Sequence, residues 1–268
     1  MEFDELFPKK KLNDYISDVF DGIHTGFEPS VDLFIATTDY LDDGLFEGFG
    51  QILFEIDPDT PDAEMLRELR DNVHVFSAFK SHHSAELLGE LIFDNEGIKR
   101  SFKDFRVDAM QMFNLTHDTH LKTEFVTSVS NGRSAAQWLD VIADADVFPF
   151  MKYSTIGDER VRPDHADFDG IVRPINDKFW KTHFPPNGFR CRCDASRMTG
   201  DESGFKQTSK KALKAIPDPP ALFKMNAGID RVVFDPKHPA FTVADRFKVV
   251  AKRNFDLPLF HGKHADTK

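Results

Sequence analysis

Membrane spans and secretion signals are missing from this sequence of 268 residues. None of its apolar runs approaches the ~20 residues that a transmembrane helix requires. The N-terminal stretch is acidic and then basic, and it lacks the apolar core of a secretory signal peptide. We therefore expect a protein that is neither secreted nor embedded in a membrane.

Cysteine is scarce, because the chain contains only Cys191 and Cys193, separated by one residue. A disulfide between such near neighbours would close a strongly strained ring. Since no other cysteine is available as a partner, a disulfide framework is excluded. The pair is typical of a reducing compartment, where the two side chains either pack as buried thiols or bind a metal.

Positive charge is in deficit, since 45 acidic residues against 34 basic ones give a formal charge of −11. Proteins that coat nucleic acid usually have the opposite sign, because they neutralise phosphates with clustered Lys and Arg. Two basic segments in the C-terminal part of the chain are most simply interpreted as solvent-exposed charged surface. The candidates for a local DNA contact are Lys206, Lys210, Lys211 and Lys214, followed by Arg246, Lys248, Lys252 and Arg253.

Aromatic side chains with a polar group are few, because 3 Tyr and 2 Trp stand against 28 Phe. Phe buries a large apolar area per residue. The composition therefore favours either a Phe-rich core or apolar anchors for partner subunits, and it leaves both open.

Apolar periodicity predicts helices through roughly the first 145 residues. One amphipathic stripe covers residues 10–21, and Thr60-Pro61-Asp62 is typical of a helix start. Further helices are predicted over residues 98–114 and 118–144. Gly44, Gly48 and Gly50 weaken the helix prediction over residues 38–49, and Asn131-Gly132 predicts a kink.

The sequence pattern changes after residue 148, where prolines become frequent. Three short strands are predicted there, at residues 150–153, 171–173 and 189–191. Beyond Gly200 the chain is rich in Lys and then in Pro, which is typical of an extended arm. We therefore predict an α+β protein in three parts. These are a helical region over 1–117, a small α+β module over 118–200 and an extended C-terminal arm over 201–268.

Catalytic and cofactor motifs are missing: there is no Ser-His-Asp order, H-E-x-x-H, nucleotide loop or Ca²⁺ loop. We accordingly assign no catalytic residue and no certain cofactor. The neighbours His82 and His83 cannot both face one ligand from a helix, so we expect them at the surface.

A zinc site is one interpretation of the segment between Tyr153 and Cys193. Zinc prefers thiolate and imidazole ligands, and His165, His183, Cys191 and Cys193 would make a tetrahedral set of four. The C-x-C spacing, however, is closer than the usual C-x₂₋₄-C. The alternative is a buried hydrogen-bonded network in which His165 pairs with Asp169, arginines pair with carboxylates, and the thiols pack as small apolar groups.

The same segment also contains a string of closely spaced polar and glycine-rich motifs. In order it contains Thr155-Ile156-Gly157-Asp158-Glu159-Arg160-Val161-Arg162, His165, Asp169-Gly170, Phe179-Trp180, Pro185-Pro186-Asn187-Gly188 and Cys191-Arg192-Cys193. This string resembles the signature of the Mu F-like family of phage minor head proteins, also called head-morphogenesis proteins. The resemblance covers roughly residues 119–198 and leaves out the first hundred.

The resemblance implies a structural component of a virion or pro-capsid, located in the capsid interior or at the portal vertex, and in the host cytoplasm during assembly. Its implied partners are portal and capsid proteins, with weak contact to packaged DNA, an influence on packaging or ejection, and no membrane. The implied signature residues are Asp158, Arg160, Arg162, Asp169, Gly170, Trp180, Pro185, Pro186 and Gly188. The competing hypothesis is a metal-dependent hydrolase or toxin module that uses His165, Asp169 and the cysteine pair.

Overall fold

Helices dominate the computed structural model, which describes residues 3–22, 28–202 and 205–257. The helices are α1 Phe3–Leu6, α2 Lys9–Phe20, α3 Val31–Phe49, α4 Pro61–Leu91, α5 Phe102–Phe113, α6 Lys122–Ala143, α7 Pro163–Ala166, α8 Phe179–His183, α9 Lys210–Leu213, α10 Ala227–Asp230 and α11 Lys248–Ala251. A π-helical segment, Asn114–Leu121, separates α5 from α6. Among the described residues, no helix is both long and apolar enough to cross a membrane.

The strands form one small antiparallel sheet between residues 150 and 198. They are β1 Phe150–Ser154, β2 Val172–Pro174 and β3 Asp194–Met198, in the order β2-β1-β3. The predicted α+β class is confirmed, as are the helical N-terminal region and the extended C-terminal part. Residues 203–204 and 258–268 of the predicted arm lie outside the described residues.

The third predicted strand, at residues 189–191, is wrong. Arg190 has a positive φ of 55°, and the Cys191 amide donates to the Gly188 carbonyl over 3.1 Å. These residues therefore form a tight turn, and β3 begins only at Asp194.

Helix starts follow the local chemistry of the capping residues. Thr60 accepts a hydrogen bond from the Ala63 amide at 3.3 Å, and α4 begins at Pro61. The helix predicted from residue 98 begins instead at Phe102, because Asp94 accepts the Ile98 amide in a turn and Ser101 caps α5.

Glycines of α3 and α6 permit a close helix approach rather than breaking the helices. A Cβ atom placed on Gly48 would lie 2.0 Å from the Val129 carbonyl oxygen, and one on Gly132 would lie 2.6 Å from that of Leu45. Both helices accordingly run through these positions as single elements.

The described residues of 1–44, 70–125 and 238–257 belong to one compact unit. Its main apolar cluster includes Tyr15, Ile16, Leu33 and Phe105. His82 is fully buried there, with the rings of Phe247 and Phe255 at 4.6 and 4.4 Å, so the surface position expected for it is wrong.

A second compact unit contains residues 45–69 and the described residues of 126–237. Its apolar core packs the sheet residues Met151 and Tyr153 with Trp138, Phe168 and Trp180. All the signature residues lie in this unit. The domain boundaries at residues 117 and 200 stay predictions.

Candidate metal centre

Three short pieces of the second unit position the polar residues of the segment. Pro163 opens α7, which ends the 155–162 loop and carries the buried His165. Asp169 closes the longer segment 155–169, because its carboxylate accepts from the Thr155 amide at 2.7 Å and from the Thr155 hydroxyl at 3.0 Å. Gly170 follows with a φ of +72°, a backbone conformation that disfavours any residue with a Cβ. The turn after Gly188 then presents the two cysteines.

One imidazole and two thiols meet at this place. His165 Nδ1 lies 3.4 Å from Cys193 Sγ and 3.6 Å from Cys191 Sγ. Within the described residues these three side chains form a group whose ligand atoms all lie within 4.8 Å of one another. The geometry thus brings together three of the four ligands that the sequence suggests for zinc.

The three groups alter one another's protonation. Hydrogen bonds from Cys193 and then from His165 lower the pKa of the Cys191 thiol. The hydrogen bond to Cys191, together with burial, raises the pKa of Cys193. The pKa of His165 is raised, chiefly by its hydrogen bond to Cys191. These shifts favour the thiolate form of Cys191 and the protonated form of His165.

His183, the fourth predicted ligand, lies outside this group. Its Nε2 is 3.3 Å from the Pro217 carbonyl oxygen, and its Nδ1 is 2.8 Å from the Thr182 hydroxyl. The ring stacks on Phe179 with centroids 4.5 Å apart, and burial lowers the pKa of His183. Both ring nitrogens are thus engaged in hydrogen bonds within the core.

Ion pairs and a hydrogen bond connect the 155–162 loop to residues 188–193, which we call the cysteine turn. Arg192 binds the Asp158 carboxylate through both terminal nitrogens, at 2.7 and 2.8 Å, and Arg160 approaches the same group at 3.5 Å. The pair with Arg192 holds the pKa of Asp158 well below its usual range. Arg162 donates to the Phe189 carbonyl at 2.5 Å, and a Cβ atom on Gly188 would lie 2.8 Å from Arg162.

The other signature residues support the core. Trp180 is fully buried and its indole nitrogen lies 3.4 Å from the Arg173 carbonyl. The Pro185 carbonyl, which precedes Pro186 in the Pro-Pro pair, accepts a hydrogen bond from Ser134 at 2.7 Å. The arginine–carboxylate part of the predicted network is therefore present, whereas Asp169 bonds to Thr155 and does not belong to the thiol–imidazole group.

The sequence analysis did not single out two buried residues that lie beside the cysteines, Tyr153 and Asn187. The Tyr153 hydroxyl donates to the Asn187 side chain at 2.8 Å, and both residues are fully buried. Burial raises the pKa of Tyr153, and the neighbouring Cys193 thiol adds to this shift. Asn187 lies inside the Pro-Pro-Asn-Gly motif, and its place in that motif is the sequence feature that could have identified it.

An arginine-lined cavity of about 80 Å³ opens beside the cysteines. Such a volume holds a few waters or one functional group, since drug-sized ligands need roughly 300 Å³ or more. Its polar lining comes from His165, Cys191, Cys193, Arg160, Arg162, Arg190 and Arg192.

The predicted DNA-contact lysines lie apart from the cysteines in sequence, on and around α9. Lys206, Lys210, Lys211 and Lys214 are all exposed. Their segment is anchored to β2, because Thr208 and Val172 exchange two hydrogen bonds of 3.0 Å. The lysines are thus presented to solvent from a fixed piece of backbone.

Comparison with known proteins matches residues 96–196 to the family model described as "Phage Mu protein F like protein". The "Putative capsid assembly protein F" of Escherichia phage Mu is 36% identical over 73 residues, which are 27% of this chain and 17% of that protein. The "Mu-like prophage FluMu F protein" of Haemophilus influenzae is 30% identical over 79 residues, which are 30% of this chain and 19% of that protein. No solved structure matches.

The matched part corresponds to the region where the sequence signature lies. It spans less than a fifth of the length of each of the two curated relatives. Residues 96–196 are thus similar to the Mu F-like family, in the region where the sequence signature lies.

Proposed function

We propose that this chain is a minor head protein that acts in phage head assembly and binds portal and capsid proteins, in the virion or at its assembly site. The observation that carries the proposal is the Mu F-like region at residues 96–196, which is shared with a protein named for capsid assembly. An effect on DNA packaging or ejection would follow from a position near the portal.

The signature residues support a structural role because most of them bond to one another or to backbone. Arg192 is paired with Asp158, Arg162 with the Phe189 carbonyl, and Asp169 with Thr155. A hydrolase built on His165, Asp169 and the thiols would need that carboxylate in the same group. Asp169 is instead engaged in closing the 155–169 loop.

Exposed apolar side chains at the start of the matched region support protein partners. Val107 and Ile98 are 61% and 59% exposed. Isolated apolar residues on a surface are ordinary, but five of them between residues 93 and 115 leave apolar side chains available for contact with a protein partner. The five are Phe93, Ile98, Phe102, Val107 and Leu115.

DNA is the weaker candidate partner, because the net charge of −11 opposes the approach of a polyanion. Contact would depend on the exposed Lys206, Lys210, Lys211 and Lys214, and it would weaken steeply with salt. We therefore expect DNA binding to be secondary to protein binding.

The test measures binding of the purified full-length chain to portal protein, to capsid protein and to duplex DNA at physiological ionic strength. We expect tighter binding to portal or capsid protein than to DNA. The substitution Val107→Asp should weaken protein binding at least tenfold, while Val249→Asp, at a valine that is 69% exposed elsewhere, should not. Lys210→Glu with Lys211→Glu should weaken DNA contact alone.

Nanomolar affinity for DNA at that salt without detectable portal or capsid binding would overturn the proposal. A hydrolytic turnover that disappears in a well-folded His165→Ala variant would favour the competing enzyme.

A further inference from the structure

We propose that His165, Cys191 and Cys193 bind one zinc ion and leave its fourth coordination position open to a small anionic group. The site concerns the chemistry of the cysteine turn and does not depend on the proposed assembly function. A chain that binds no zinc could still bind portal protein, and a chain that does not bind portal protein could still bind zinc.

The nitrogen–sulfur distances match those of a tetrahedral zinc site. In a tetrahedral site with Zn–N of ~2.0 Å and Zn–S of ~2.3 Å, a nitrogen and a sulfur ligand lie about 3.5 Å apart. His165 Nδ1 lies 3.4 and 3.6 Å from the two sulfurs. Both nitrogen–sulfur edges of such a tetrahedron are therefore already present.

The number of partners also favours a metal. A single imidazole nitrogen carries at most one proton, so it cannot donate a full hydrogen bond to two sulfurs. Two thiols nevertheless converge on the same Nδ1, and all ligand atoms lie within 4.8 Å of one another. One ion among them would give each of the three groups a bond of its own.

The surroundings hold these ligands in place, as outer-shell hydrogen bonds do in metal sites. The backbone of Asn187 and Cys193 lowers the pKa of the Cys191 thiol and so favours its thiolate form. The Tyr153 hydroxyl reaches Cys193, and Tyr153 is itself fixed by the buried Asn187 side chain. His165 is 3% exposed, so its imidazole has little freedom to turn away.

The ligand count defines the character of the site. Structural zinc sites have four protein ligands, whereas sites with three protein ligands keep a fourth position for an exchangeable ligand. His183 is engaged with Pro217 and Thr182, so the set contains three ligands among the described residues. The open position falls at the arginine-lined cavity, whose wall includes all three ligand residues.

Charge determines which ligand fits there. Two thiolates neutralise a Zn²⁺ ion, and Asp158 offsets one of the four arginines that line the cavity. The remaining positive charge favours an anion over a neutral molecule. A volume of about 80 Å³ matches the size of one carboxylate or phosphate group.

The first experiment loads the reduced full-length chain with Co²⁺, a spectroscopic substitute for zinc. We expect one metal per chain, visible tetrahedral bands and near-ultraviolet sulfur-to-cobalt charge-transfer bands, all displaced by Zn²⁺. A folded wild-type protein, checked by circular dichroism, that binds no metal at micromolar concentrations would overturn the proposal.

Substitutions identify the ligands. Cys191→Ser and Cys193→Ser should each weaken Zn²⁺ binding at least 100-fold and reduce the charge-transfer intensity, and His165→Ala should also weaken it. His165→Cys supplies a third thiolate and should restore binding with stronger charge-transfer bands. His120→Ala, at an exposed histidine of the π-helical segment, is the matched control and should bind like wild type. Equal zinc retention by the double Cys→Ser variant would overturn the assignment.

The open position is tested separately with azide, a small anionic ligand. Addition of azide to the Co²⁺-loaded chain should shift the visible bands in a saturable way. Arg190→Gln should weaken that shift without changing metal content. Bands that do not respond to azide would overturn the open position, and they would indicate a fourth ligand from the protein.

Discussion

Arg192 and Asp158 form a two-point ion pair across 34 residues of sequence, with nitrogen–oxygen distances of 2.7 and 2.8 Å. The pair joins the residue between the two cysteines to the loop that leads into α7. Because both side chains are about one-third exposed, their contribution is local order rather than global stability.

We predict that Asp158→Asn loosens the 155–162 loop and leaves the global unfolding midpoint nearly unchanged. The neutral amide keeps the size of the carboxylate and loses the charge that binds both arginine nitrogens. Hydrogen exchange should accelerate in residues 155–162, while the buried strand β1 keeps its protection.

The pH dependence of this pair has a definite sign. The pKa of Asp158 is lowered by Arg192, so the ordering effect is present at neutral pH and is lost as the pH falls through that lowered pKa. Protection factors in the wild-type loop, which are corrected for the pH dependence of intrinsic exchange, should therefore stay high at about pH 4, where an ordinary aspartate is half protonated. A drop in these protection factors already at pH 5 would contradict the prediction.

The hydroxyl of Tyr153 gives a prediction about the core. Tyr153→Phe keeps the ring and removes the group that donates to Asn187 at 2.8 Å. A buried oxygen that loses its donor costs about 1–3 kcal/mol. We expect the urea-unfolding free energy to fall by that amount, with the slope of the transition unchanged.

Tyr40→Phe provides a comparison within the other compact unit, at a tyrosine that is 6% exposed. Tyr40→Phe should affect a different set of contacts. Only Tyr153→Phe should therefore change the rate at which the cysteine thiols are alkylated. Identical alkylation in wild type and Tyr153→Phe would contradict the placement of this hydroxyl.

Close helix packing gives a further prediction. A Cβ atom on Gly48 would lie 2.0 Å from the Val129 carbonyl oxygen, a separation that requires the backbone to move. Overpacking of this kind costs roughly 1–3 kcal/mol or more, which exceeds the helix-propensity gain of about 1 kcal/mol for Ala over Gly. Gly48→Ala should lower the thermal midpoint.

Glu47→Ala, at the exposed neighbouring position of the same helix, is the control. It removes no packing contact and should leave the midpoint within experimental error. A Gly48→Ala variant as stable as wild type would mean that α3 and α6 do not approach this closely.

Local chemistry was sufficient to predict the start of α4 and two strands. Thr60 and Pro61 specify a helix start through a cap and a fixed φ, and the structure begins α4 there. The third strand was misplaced because an alternating Phe-Arg-Cys pattern resembles a strand, whereas Arg190 adopts a left-handed turn conformation. Nothing in the sequence around Arg190 distinguishes the two.

Tertiary placement accounts for the remaining differences at the site. Residue type alone makes His165 and His183 equivalent zinc ligands, but His183 ends α8 and points to Pro217. His82 and His83 are neighbours in sequence, yet successive residues of a helix point about 100° apart, so one is buried while the other is partly exposed. Such directions depend on packing partners that are distant in sequence.

The pKa of His183 leads to the final prediction, on acid sensitivity. Burial lowers this pKa, and the nearby charges, Asp218 and Lys224, form an ion pair with each other at 2.7 Å. Below about pH 6.5 the unfolded chain therefore binds a proton that the folded chain does not. Stability should fall as the pH decreases from 7.5 to 5.5, by up to about 1.4 kcal/mol per pH unit for this one group.

His183→Phe isolates the contribution of this imidazole. It keeps an aromatic ring against Phe179 and loses the hydrogen bond to Pro217, so it should cost about 1 kcal/mol at pH 7.5. Because no proton can bind there, the pH slope of the urea-unfolding free energy should become shallower than in wild type. His120→Ala, at an exposed histidine, should keep the wild-type slope. A His183→Phe slope equal to that of wild type would mean that His183 is not held neutral, since a buried neutral imidazole is the physical origin of the predicted acid sensitivity.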